Sequence, residues 1–216
     1  DLHKMTEGSL DATIMVAYLP QPKQGETFTS IVRKAYPSLA ELKDVTPKGY
    51  ADMIFDKIEA IVASNQSYIS LARTPSELFA NKRQGRKSIM LGIENGLALE
   101  GDIANVEYFA RRGIVYITLC HNGDNDICDS AKGCATHNGV SQFGEKVIAE
   151  MNRLGIMVDM SHAGEKSFYD ALDISSKPIV CSHSSARSLC DHPRNLTDDQ
   201  MRQLARKGGV AQITLY

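Results

Sequence analysis

Residues 88–94 read SIMLGIE and residues 114–121 read IVYITLCH. Each is a short, continuously apolar run that delivers a carboxylate or an imidazole at its end. A strand with one solvated face alternates apolar and polar residues. An unbroken apolar run of this length instead fits a strand covered on both faces, the signature of a parallel sheet wrapped by helices. The same unit recurs on either side. Ala12–Tyr18 (ATIMVAY) is stopped by Pro20, Ile156–Met160 leads into His162, Pro178–Cys181 opens a strand reaching His183, and Val210–Tyr216 (VAQITLY) follows Gly208-Gly209. Tyr68–Leu71 is a shorter run of the same kind.

Helical patterns separate these runs. Met53, Ile54, Ile58, Ile61 and Val62 recur at helical spacing, and Phe143, Val147, Ile148, Met151 and Leu154 form one stripe of a helix over 141–154 that Gly155 breaks. Helices are also predicted over Asp102–Arg112 and Gly164–Leu172. Thr74-Pro75-Ser76-Glu77 predicts a helix start with Pro75 at the first helical position, and Thr197 with Gln200 predicts a capping box. Alternating strands and helices predict an α/β fold. With no Gly-x-Gly-x-x-Gly fingerprint and no Walker loop, the unit count suits a (β/α)8 TIM-like barrel better than an open nucleotide-binding sheet. Six clear strands and the short run near Tyr68 fall below the eight that a closed barrel needs. The expectation is one barrel domain over residues 1–216, incomplete at its ends.

Composition narrows the partners. With 43% hydrophobic residues, 23% charged residues and a net charge of -2, the chain has no basic field to attract a polyphosphate, which argues against a nucleic-acid partner. No apolar stretch is long enough to span a membrane, and the opening DLHKMTEGSL lacks the basic-then-apolar order of a signal peptide. Five cysteines (Cys120, Cys128, Cys134, Cys181 and Cys190) fit no zinc-finger spacing. A bridge within the 120–134 loop stays open, and with it the redox compartment.

The positions of the polar groups suggest the chemistry. Glu94, His121, His162 and His183 each end a predicted strand, and in a barrel those ends converge on the face where active sites are built. Carboxylate and neutral imidazole are ordinary ligands of zinc and similar divalent ions. A glutamate can give one oxygen to each of two ions, so Glu94 is the natural bridge, with His162 and His183 as terminal ligands of one ion. His137, in a Gly/Asn-rich loop, is expected at the surface. His192 is expected to support its loop, and His3 lacks a carboxylate two residues on. Arg194 and Arg187 both lie in the loop after His183, and either could clamp a substrate carboxylate through two charge-assisted bonds.

The segments GIENG around Glu94, YITLCH ending at His121, NRLGIMVDMSH ending at His162, PIVCSHSSARSLCDHPRNL with His183 and Arg194, and GGVAQITLY resemble the membrane dipeptidase family over nearly the whole chain. The resemblance implies an amidohydrolase-type barrel that holds two Zn2+ ions, other divalent ions being an option, and cuts dipeptides with a metal-bridging hydroxide. It implies Glu94 as the bridging ligand, His162 and His183 as ligands of one ion, His121 near the reacting carbonyl as a catalytic and substrate-binding residue, and Arg194 on the substrate carboxylate. The family's His-x-Asp on the first strand and the aspartate of its last strand have no counterpart here, which places both strands beyond the ends in this expectation. Asn95 stands where the family often has Gly, and is expected to narrow the pocket. The resemblance also allows a homodimer and leans towards a periplasmic or cell-surface location. Hydrolysis of N-acyl amino acids, or a non-catalytic barrel keeping the scaffold, are the alternatives.

Overall fold

The computed structural model describes residues 2–23, 25–37 and 44–215. Its elements run α1 (Leu2–Glu7), β1 (Ala12–Tyr18), α2 (Phe28–Ala35), α3 (Pro47–Ala63), β2 (Ile69–Leu71), α4 (Pro75–Arg83), β3 (Lys87–Glu94) and α5 (Ala104–Arg112). They continue with β4 (Ile114–Thr118), α6 (Gln142–Leu154), β5 (Met157–Asp159), α7 (Glu165–Ile174), β6 (Val180–Cys181), α8 (Asp198–Arg206) and β7 (Val210–Ala211). Seven strands form one sheet in the order β1-β3-β4-β5-β6-β7, with β2 paired to the start of β3, and every pairing is parallel.

Strand periodicity decides which side chains face the mouth. In β3, Ile89, Leu91 and Ile93 are buried at 0–2% exposure in the main hydrophobic core. Because successive side chains alternate faces, Met90, Gly92 and Glu94 share the opposite, concave face. Ile14, Met90, Tyr116, Ser182 and Gln212, from strands far apart in the sheet order, line one hollow of about 340 Å3. The sheet therefore curls as part of a barrel. Among the described residues there is no eighth strand and no pairing of β1 with β7.

Two helix ends set the angle of the strands that carry the site. Gly113 and Gly155 close α5 and α6 with φ of 86° and 74°, a left-handed turn that glycine adopts without a Cβ penalty. Each turn releases the chain directly into the next strand. At the other ends, Thr74 with Glu77 and Thr197 with Gln200 form capping boxes, and Ser141 caps α6 through Gly144 N.

Three expectations need correction. In α3 the buried stripe is Ala51, Phe55, Ile58 and Val62, and Ile61 is 46% exposed. Tyr50 and Phe55 add aromatic side chains to the core that a pattern of aliphatic residues alone does not show. The strand expected to reach His183 pairs only at Val180–Cys181, and the one expected over Val210–Tyr216 pairs only at Val210–Ala211, with Tyr216 outside the described residues. The five cysteines, whose pairing the sequence left open, are all free thiols, so the 120–134 loop carries no bridge.

Candidate metal centre

Glu94, at the end of β3, meets two imidazoles that follow β5 and β6. Its Oε1 lies 3.2 Å from His162 Nε2 and 3.2 Å from His183 Nε2, and the two Nε2 atoms stand 2.9 Å apart. His121, three residues beyond Thr118 at the end of β4, places Nε2 3.8 Å from the same oxygen. Its ring lies against those of His162 and Tyr18, with centroids 4.1 and 4.9 Å away. The four side chains predicted to meet at one rim do meet there.

Local structure explains how they are held. His162 has a φ of 75°, a conformation costing a non-glycine residue of order 1–3 kcal/mol and found where function demands it. Its carbonyl accepts from Ala131 N at 2.8 Å, which fastens it to the long loop after β4. That loop is folded around two acidic side chains. Asp124 accepts from the backbone of Ser130, Cys134 and Thr136, and Asp129 from that of His137 and Gly139. These bonds bring Asn122 and Lys132 to the mouth beside His121. His137 is exposed, as expected, and its Nε2 pairs with Asn125 O.

The electrostatics follow from burial. Burial would raise the Glu94 carboxyl, but His162 and His183, when protonated, overcome it through hydrogen bonds and charge and hold Glu94 well below the carboxylate range. Burial lowers His121 to about 4, helped by the neighbouring His162 and opposed by Glu94, so its ring is neutral at pH 7. Burial also lowers His162 and the Arg194 guanidinium.

The arrangement suits a cation. Glu94 Oε1 and the two Nε2 atoms lie within 4.8 Å of one another as a possible ion-binding group. Ligands about 2.0–2.1 Å from one ion at tetrahedral angles stand roughly 3.3 Å apart, close to the spacing seen here. Asn122 Oδ1, which can only accept, stands 3.3 Å from His162 Nδ1. The hydrogen in that contact therefore belongs to Nδ1, and the Nε2 lone pair points at Glu94. His121 Nδ1 is buried without a hydrogen-bond partner, an unmet polar group at the same centre. The donor set fits zinc or a related divalent ion.

The two loop arginines separate. Arg187 pairs with Glu165 at 3.0 Å and donates to Asn195 O, so it braces the loop against α7. Arg194 lines the mouth, where its Nη2 donates to His183 O at 3.4 Å, and it has no carboxylate at ion-pair distance among the described residues. His192 supports this loop by accepting from Arg194 N at 3.2 Å. Arg194 and His192, together with Glu94, His121, His162 and His183, line a cavity of about 460 Å3. Asn95 does not line it, contrary to expectation. Asn95 is fully buried at a φ of 84°, donating to Leu19 O and Gln21 Oε1 and accepting from Asn125 Nδ2. Its amide ties two loops together behind the site.

Residues 1–216 match the family model described as membrane dipeptidase, peptidase family M19. The chain belongs to the membrane dipeptidase family. "Dipeptidase verJ" of Clonostachys rogersoniana is 32% identical over 216 residues, which are 99% of this chain and 53% of that protein. An amidohydrolase from Pseudomonas aeruginosa superposes with a TM-score of 0.79 at 26% identity, covering 98% of this chain and 57% of that one. The fold is shared with a metallopeptidase from Rhodobacter sphaeroides, solved with a phosphinate mimic of the dipeptide L-Ala-D-Ala, at a TM-score of 0.82 and 22% identity, covering 99% of this chain and 64% of that one. The chain thus spans about half the length of curated dipeptidase verJ. No helix among its described residues is long and apolar enough to cross a membrane.

Sequence reasoning missed one member of this centre. Asp159, at 0% exposure, sits beneath the histidines on the concave face and is bonded from three strand ends. The available signal was the repeated Ser-His pair, Ser161-His162 and Ser182-His183, one after each of two successive strands.

Proposed function

We propose that this protein is a metal-dependent dipeptidase, and that Glu94, His162 and His183 are ligands of a binuclear zinc centre in a (β/α)8 barrel of amidohydrolase type. The observation that carries the reading is the convergence of one carboxylate oxygen and two imidazole Nε2 atoms at 2.9–3.2 Å. Glu94 Oε1 makes those contacts, which leaves Oε2 for a second ion, the bridging role. Bound divalent ions supply an activated water and a polarised carbonyl.

The chain's own residues do the rest. Arg194, without a carboxylate of its own, binds the free C-terminal carboxylate of the substrate in a bidentate pair and sets how far the scissile amide lies from the metal ligands. The cavity of about 460 Å3 suits a small molecule of dipeptide size. His121, neutral at pH 7, donates one hydrogen bond to the carbonyl oxygen as negative charge develops there. Membership of a dipeptidase family supports the peptide substrate over an N-acyl amino acid.

The test is elemental analysis and hydrolysis assays on the full gene product, using a panel of dipeptides and N-acyl amino acids. Two zinc ions per chain and cleavage of dipeptides are expected, with both lost in Glu94→Ala. A Glu94→Ala protein that kept two zincs and full activity would falsify the ligand assignment. Cleavage confined to N-acyl amino acids would overturn the substrate.

A further inference from the structure

Asp159 ends β5 with no exposed surface and, among the described residues, no cation at ion-pair distance, yet its acceptor sites are filled. Its Oδ1 accepts from Ser161 N at 3.1 Å and Ser182 N at 2.8 Å. Its Oδ2 accepts from Thr118 Oγ1 at 2.5 Å and Ser182 Oγ at 2.6 Å. An ionised carboxylate only accepts, and a serine hydroxyl has a single hydrogen to give. Ser182 spends that hydrogen on Asp159. The 2.8 Å contact between Ser182 Oγ and His183 Nδ1 must then be closed by a hydrogen on Nδ1. In its neutral form His183 is then left with a bare Nε2, the atom that faces Glu94. The backbone is pinned as well, because His183 N donates to Ser161 Oγ at 2.9 Å.

We propose that Asp159, acting through the Ser182 hydroxyl, is a positioning residue that fixes the tautomer and ring orientation of His183 for metal binding. The proposal rests on the metal-centre reading above and extends it to residues that touch neither ion nor substrate. A ligating imidazole commonly donates its second N–H to a carboxylate, directly or through an intermediate, and this partner tunes its basicity. Here the fully buried carboxylate does so at one remove. The same carboxylate bonds to the ends of β4 and β6, so the geometry of His183 is tied to the sheet instead of to a loop.

A merely structural Asp159 would brace three strands without affecting the imidazole, so two readouts on the full gene product separate the cases. In metal-free protein, long-range proton–nitrogen NMR should find His183 as the Nδ1–H tautomer. Ser182→Ala should give a mixture of tautomers, while Ser182→Thr, which keeps the hydroxyl, should restore the single form. Zinc affinity, measured by competition with a chelator, should fall roughly 10–100-fold in Ser182→Ala and recover in Ser182→Thr. Asp159→Asn should act in the same direction, and if it fails to fold the Ser182 pair still decides. The proposal is overturned if Ser182→Ala keeps the pure Nδ1–H tautomer, if its zinc affinity stays within about twofold of the unaltered protein, or if Ser182→Thr is as weak as Ser182→Ala. Unaltered protein that binds no zinc sinks the metal reading instead, and the metal-free tautomers then still judge the Asp159–Ser182 link.

Discussion

In the metal-free protein, His121→Phe should abolish part of the acid sensitivity of folding. The His121 side chain is only 11% exposed, and its Nδ1 is buried without a partner. Burial, aided by His162, lowers it from 6.5 to about 4. Below pH 6.5 the unfolded chain takes up a proton there that the folded chain refuses until near pH 4. Stability therefore falls as pH drops through that window, and none is lost above it. At 1.36 kcal/mol per unit, the loss from this residue reaches about 2 kcal/mol at pH 5 and about 3 kcal/mol at pH 4. His162, lowered by burial, works in the same direction and stays in both proteins, so the comparison isolates His121. Phenylalanine keeps a ring against Tyr18 and His162 but cannot be protonated. Urea unfolding of EDTA-treated protein from pH 4 to 8 should show the variant's stability rising relative to wild type by about 2 kcal/mol between pH 7 and pH 5. Parallel pH curves for the two proteins would show that His121 is not held neutral by burial.

Two further changes probe other parts of the structure. Arg194→Met should raise KM for dipeptides by roughly 10–100-fold, the value of one charge-assisted pair, with a smaller change in kcat, and Arg194→Lys should recover little of it; steady-state kinetics that left KM unchanged would remove Arg194 from substrate binding. Gly155→Ala should cost about 1–2 kcal/mol. Its φ is 74° and nothing lies within 4 Å of an added Cβ, so only backbone strain is at work, and a stability unchanged in urea titration would contradict that origin.

Much of the centre was legible because each of its polar residues lies next to a strand that had to be apolar. Glu94, His121 and His162 interrupt runs that are otherwise buried on both faces, so their polarity stood out. The stripe of α6 was equally legible, with Val147, Ile148 and Met151 fully buried. In α3 the aliphatic residues alone misled, because Ile61 lies about 100° around the helix from Val62 and faces solvent. Asp159 was not legible. An aspartate within VDMSH looks like a polar strand end, and only the parallel register of Thr118, Asp159 and Val180 shows it bonded to its neighbours.

By itself the sequence determined the class of fold and the polar residues that end its strands, since periodicity of burial and the chemistry of side chains are local properties of the chain. It also determined where helices begin and end, through Thr74, Thr197, Gly113 and Gly155. Only the tertiary structure decided which groups work together. Arg187 and Arg194 are seven residues apart in one loop, yet Glu165 pairs with the first and no carboxylate among the described residues lies at ion-pair distance from the second. Asn95 turned away from the pocket, and the Ser182 hydroxyl turned towards a buried carboxylate. Such pairings depend on distances between segments that the curl of the sheet brings together, and a hydrogen bond or an ion pair exists only within those few ångströms.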